Sequence, residues 1–139
     1  MDWNDCLDEK ATKATPNKEV AKSLLKMCQA RLDIVGGMPR KYPALIAEVY
    51  YEIIKELITA LLAIEGFKVY SHKCLLSFLR EYHFDIITDS DLALLDKLRI
   101  IRNDIGYRGV TIGEEFLERN EERIKIVLKK LMDLVRKKL

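Results

Sequence analysis

Apolar residues recur at three- and four-residue spacing in five stretches of the chain, which predicts five helices. Residues 1–14 are polar and show no such period, so they read as a loose N-terminal segment ahead of one domain spanning 15–139. Thr15-Pro16 offers a cap followed by a first-turn proline. Val20, Leu24, Met27, Leu32 and Val35 then mark an inward stripe, with Arg31 on the same spacing, until Gly36-Gly37-Met38-Pro39 stops it. The second helix begins near Tyr42-Pro43 and runs to Gly66. Its stripe of Leu45, Val49, Ile53, Leu57, Ala60, Leu61 and Ile64 is widened by Ile46, Tyr50, Ile54 and Ile58 to most of the circumference, which predicts a central position. Ser71 opens a shorter helix carrying Leu75, Leu76, Phe78, Leu79 and Tyr82. Thr88-Asp89-Ser90-Asp91 opens a fourth, carrying Leu94, Leu98, Ile101 and Ile105. The last starts near Gly113-Glu114-Glu115 and turns Phe116, Ile124, Val127, Leu128, Leu131 and Val135 inward. Val69-Tyr70 and Ile86-Ile87 are the nearest approach to strands. The expected fold is all-α: an up-and-down antiparallel bundle of four to five helices.

Composition narrows the function classes. The 139 residues are 49% hydrophobic and 33% charged, which argues against disorder. Six Gly and three Pro leave few turns. Lys and Arg total 24 against 22 Asp and Glu, so wholesale nucleic-acid binding has no electrostatic footprint, and only a local patch is available for it. The last helix runs from glutamates to lysines and arginines, which complements its dipole; a solvated face and an RNA-binding tail both fit that gradient. Glu48, Glu52, Lys55, Glu56 and Glu65 interrupt the longest apolar run, so no membrane span is expected. The acidic start is unlike a signal peptide. Cys6, Cys28 and Cys74 are scattered, which argues against a disulfide framework or a zinc site and for a reducing cytoplasm.

Candidate chemistry concentrates in Leu98–Gly109. With Arg102 at zero on a helical wheel, Leu94, Leu98, Ile101 and Ile105 fall between about 260° and 320°. Arg99, Arg102, Asn103, Gly106 and Tyr107 fall between about 0° and 140°. Two guanidiniums, a carboxamide and a phenol therefore converge beside a glycine, opposite the core stripe. Such an inventory suits a phosphate or sugar–phosphate. Asp104, at about 200°, and Arg108 are secondary candidates. The alternative is that Arg99 and Arg102 pair with carboxylates of a neighbouring helix or another chain.

His72 and His83 are eleven residues apart, too far for a helical metal clamp, and no metal ligand set or cofactor motif is present. His72, in Ser71-His72-Lys73, reads first as a helix-start residue.

Two segments together resemble the HEPN domain family of nucleotide-binding proteins. Ala47–Gly66, with Tyr50-Tyr51 and Ala60-Leu61-Leu62, followed by Ser71-His72-Lys73, is similar to that family's long central helix. Arg102-Asn103-Asp104-Ile105-Gly106-Tyr107 is similar to its signature, an Arg, often a polar residue, then a His four to six residues on. The resemblance covers about Val20 to Val135. It implies a four- or five-helix bundle and a homodimer. It also implies either metal-independent ribonuclease activity or a non-catalytic partnership with a small nucleotidyltransferase in toxin–antitoxin or defence modules.

On this resemblance Arg102 takes the motif arginine, Asn103 its polar neighbour, and Tyr107 the place of the histidine. A phenol with a reference pKa of about 10 is a poor base at neutral pH, so proton transfer loses its usual owner. His72 is a substitute if the fold brings it close. The leading expectation is a cytoplasmic protein that binds RNA or a nucleotide through Arg99, Arg102, Asn103 and Tyr107. The alternatives are an active ribonuclease using Arg102 and Tyr107, and a dimerisation module without a ligand.

Overall fold

A helix that is apolar on every side needs neighbours all round. In the computed structural model, which describes residues 2–109 and 111–139, the Pro43–Gly66 run forms that helix. It is α3 (Pro43–Glu65), opened by its proline and closed by Gly66 in the left-handed conformation at φ 87°. Packed around α3 are α2 (Lys18–Gly36), α4 (His72–His83), α5 (Asp89–Arg108) and α6 (Glu114–Lys138). A short α1 (Trp3–Glu9) and two strands, β1 (Ala11–Lys13) and β2 (Phe67–Val69), complete the described elements. The fold is an all-α bundle, as the pattern predicts, with α3 at its centre. Among the described residues no helix is long and apolar enough to cross a membrane.

Inside α3 the buried set includes Ile46, Tyr50, Tyr51, Ile53, Ile54, Leu57, Ile58 and Leu61, whereas Leu45 is half exposed. An all-round apolar sequence leaves the phase of its stripe undetermined, and here the neighbours decide it. A similar rotation separates α2 from expectation. Ala21, Cys28 and Val35 face inward while Val20, Met27 and Ile34 are exposed. Small residues on the inner face let α2 approach α3 closely, and a stripe drawn through the larger side chains misses that. Thr15 does not cap the helix. The side chain of Asn17 accepts from the Val20 N–H at 3.0 Å.

The N-terminal segment, expected to be loose, is structured. Asp2 and Asp5 cap α1 reciprocally, at 2.9 and 3.0 Å. The pair uses an Asp where the familiar box has Glu or Gln. Trp3, only 4% exposed, packs edge-on against Phe67 and Phe78, with Tyr82 beside it. The following residues add β1 antiparallel to β2, in register Ala11↔Val69 and Lys13↔Phe67. A disulfide joins Cys6 of α1 to Cys74 of α4. That bond corrects the expectation drawn from cysteine spacing, and it removes cysteine usage as an argument for a reducing compartment. The strand candidate at Val69 is realised in β2; Ile86-Ile87 forms none, and Ile87 is simply buried.

Thr88 caps α5 as predicted. It accepts from the Asp91 N–H at 3.1 Å, and Asp91 accepts in return from the Thr88 N–H. Asp91 also takes Lys130 of α6 at 2.7 Å, which ties the two helices together. In α6, Ile124, Val127, Leu128, Leu131 and Val135 are buried as expected, while Leu117 and Asn120 rather than Phe116 are the buried residues of the first turns. Several basic residues near its end are engaged within the chain. Lys138 meets Glu65 at 3.0 Å, and Lys129 meets Asp133 at 3.0 Å.

Candidate functional site

The second half of α5 carries the guanidinium stripe. Arg99 is largely buried and bonds Asp96, one turn back, at 2.9 Å through Nε. No partner of its terminal Nη nitrogens occurs among the described residues. Arg102 is half-buried and makes no ion pair among them. Gly106 lies beside Arg102, and an alanine Cβ placed there would stand 4.0 Å from Nη1, an ordinary contact that leaves the guanidinium where it is. Asn103 is half-buried on the same stretch. Tyr107 belongs to α5 and is 80% exposed. Asp104 and Arg108 pair with each other at 3.6 Å on the surface.

His72 is brought to this helix. As the first residue of α4 it lies where α3, α4 and α5 meet, with Nδ1 3.0 Å from the hydroxyl of Tyr51 on α3. Burial pushes the Tyr51 phenol up to about 12, against the opposing pull of Arg99 and Arg102. Burial also lowers the His72 pKa, helped by Lys55, Arg102 and Arg99 and opposed by Glu52. Both groups are therefore neutral at pH 7. Tyr51 is buried and has no other described acceptor, so we assign it as the donor to Nδ1. The imidazole proton then lies on Nε2.

Two depressions flank this pair. One, narrow and lined by Tyr51, Ile54, His72, Leu95 and Arg99, follows the junction itself. The other, shallow and of about 220 Å³, is lined by Lys55, Thr59, Tyr70, Ser71 and His72. Arg99 also lines a larger cleft of about 530 Å³ beneath α1, along with Lys73, Arg80 and Asp96. Lys55 is held by Glu52 at 2.6 Å. The junction thus gathers Arg99, Arg102, His72 and Lys55 as donors and cations, with Glu52 and Asp96 as their counter-charges. Such a set of N–H donors is of the kind that carboxylate or phosphate oxygens accept from. The imidazole of His72 is not a free base there, because Nδ1 is occupied and Nε2 carries the proton. His83 lies elsewhere, 5% exposed, with its pKa lowered by burial and by Lys138. Among the described residues no cluster of His, Cys, Asp or Glu is arranged to hold a metal ion.

Of the residues singled out from sequence, Arg99, Arg102 and His72 share one electrostatic neighbourhood, while Tyr107 stands in solvent. Tyr51 and Lys55 were missed. The missed signal was chemical: two adjacent tyrosines inside an apolar helix each need a partner for the hydroxyl. Tyr50 finds Glu121 at 2.6 Å and Tyr51 finds His72.

No protein-family model, curated protein or solved structure matches the chain.

Proposed function

We propose that this chain is a HEPN-type protein that binds RNA or a nucleotide, holding phosphate at the junction of α3, α4 and α5. The observation that carries the reading is Arg102: a half-buried guanidinium without a described carboxylate partner, close enough to shift the neighbouring His72–Tyr51 pair. Arg99 and the His72 Nε2–H add donors of the kind phosphate oxygens accept. Asn103 and Tyr107, farther along α5, belong to the same proposed face, where the phenol offers a base a ring to stack on.

The test is the affinity of the whole protein for a short single-stranded RNA across a salt series. Arg102→Ala should weaken binding about tenfold and reduce the salt slope by roughly one. Equal affinity and equal slope would remove the site. The family resemblance adds a homodimer and a nucleotidyltransferase partner in a toxin–antitoxin or defence-like module. Thermal stability that is independent of protein concentration counts against the dimer. A cytoplasmic location belongs to the same reading. A reducing compartment opposes the Cys6–Cys74 bond, so the two thiols should be found free when cells are quenched with an alkylating agent.

A second reading, metal-independent ribonuclease activity, is favoured by an imidazole that feels the charge of Arg102 through space. It needs the His72 Nε2–H to act as acid, or its tautomer to reverse. Cleavage that persists in chelator and disappears in both His72→Ala and Arg102→Ala supports it. Absence of cleavage from pH 6 to 9 rejects it. Dimerisation without a ligand is the outcome left if neither RNA nor nucleotide binds while stability follows protein concentration.

A further inference from the structure

The C-terminal half of α2, Tyr50 of α3 and one face of α6 line a second cleft, of about 430 Å³. Its floor is apolar. Val35, Leu128 and Met132 are buried there, with half-buried Leu32 beside them. The spacing of α6 explains the walls: Glu121, Lys125, Leu128, Met132 and Arg136 follow one another at three or four residues and so share one face.

The lining is asymmetric in charge, with four cations, Arg40, Lys125, Lys129 and Arg136, against two anions, Glu121 and Asp133. The anions are already committed. Glu121 takes both ends of the Arg40 guanidinium and the Tyr50 hydroxyl. Its pKa is low despite burial, because of those two bonds. Asp133 takes Lys129 at 3.0 Å and Arg136 at 4.0 Å. Lys125 acts on Glu121 through space but forms no ion pair among the described residues. Gly36 stands at the cleft, and a Cβ there would meet no atom within 4 Å.

We propose that this cleft binds a small carboxylate with an apolar body, of the medium-chain fatty-acid class. The chain of the ligand lies on Leu32, Val35, Leu128 and Met132, and its carboxylate meets Lys125. The volume falls within the usual span of small-ligand sites, about 300–1,000 Å³. An apolar floor selects for hydrocarbon, and the surplus cation selects for a negative head. A neutral alcohol of equal length satisfies only the first condition.

Octanoate is the probe, octan-1-ol its uncharged counterpart, and amide NMR titration of the whole chain the readout. Octanoate should give saturable shifts confined to residues around the cleft, and octan-1-ol should bind about tenfold more weakly. Lys125→Glu and, separately, Lys125→Gln should each lower octanoate affinity, the reversal by about tenfold. Lys125 is itself exposed, so both changes leave the core untouched. Gly36→Phe should block the cleft. Arg102→Ala should leave octanoate binding as it is, which separates this site from the proposed RNA site. Non-saturating shifts, equal affinity for the alcohol, or an indifferent Lys125→Glu variant would each overturn the proposal.

Discussion

The hydroxyl of Tyr51 and Nδ1 of His72 lie 3.0 Å apart across the seam between α3 and α4. The phenol is buried and stays protonated, so the bond selects the imidazole tautomer that points its N–H away from the core. Tyr51→Phe should keep the fold, cost about 1 kcal/mol of stability, and free Nδ1. Imidazole nitrogen shifts should report the Nε2–H form in the wild type and a tautomer mixture in the variant. An unchanged Nε2–H signature in Tyr51→Phe would show that the phenol does not set it.

Acid should unfold the protein in two stages. The pKa values of His72 and His83 are lowered in the folded state, chiefly by burial. The unfolded chain therefore takes up protons first, and stability begins to fall as pH drops below about 6.5. Asp91 and Glu121 are lowered by Lys130 and by Arg40 with Tyr50, respectively, against the effect of burial. Their contribution is present above the unfolded carboxylate range, about 4, and is lost as pH falls through the folded values. Urea denaturation at stepped pH measures both. A stability curve flat from pH 7 to 5 would contradict the histidine part.

Reducing Cys6–Cys74 opens a covalent loop whose ends are 68 residues apart in sequence. The loop-entropy treatment puts the loss at about 4 kcal/mol. Denaturant midpoints with and without a dithiol reductant should differ accordingly, and Cys6→Ser should match the reduced protein. Amide exchange should accelerate first in α1 and β1. Identical midpoints would mean that packing of Trp3 alone retains the segment.

Gly66→Ala should destabilise by about 1–3 kcal/mol. The residue sits at φ 87°, and an added Cβ would lie 2.8 Å from the Ala14 carbonyl oxygen and 3.1 Å from Pro16. Two independent constraints thus meet at one position, the left-handed turn that ends α3 and the crossing of the N-terminal segment over it. Thermal melts of Gly66→Ala and Gly66→Asn separate them. Asparagine tolerates the dihedral but not the contact, so a neutral Asn variant would refute the crowding.

Much of the bundle is legible in sequence because its cues are local. Pro43 and Gly66 bracket α3, and Thr88 with Asp91 writes the opening of α5 in side chains that bond their own backbone. The phase of α2 is not local. Ala21 and Cys28 are inward because α3 presents a surface that accepts small residues, and nothing within α2 states this. The N-terminal segment was unreadable for a related reason. Seven residues cannot display a helical period, and β1 gains its hydrogen bonds from residues more than fifty positions away. The candidate site shows the same division. Arg99, Arg102 and Gly106 announce themselves by spacing on one helix, whereas Tyr51 and His72 become partners only through the packing of α3 against α4.

The pairing of Ala11 with Val69 also orders events in time. During synthesis β1 emerges well before β2, so the strand it must join does not exist until more than fifty further residues have followed. Until then Trp3 and Cys6 wait in water without their pocket. Whatever shields those two side chains in the interval, whether an early collapsed helix pair or a chaperone, governs how much newly made chain reaches the finished fold.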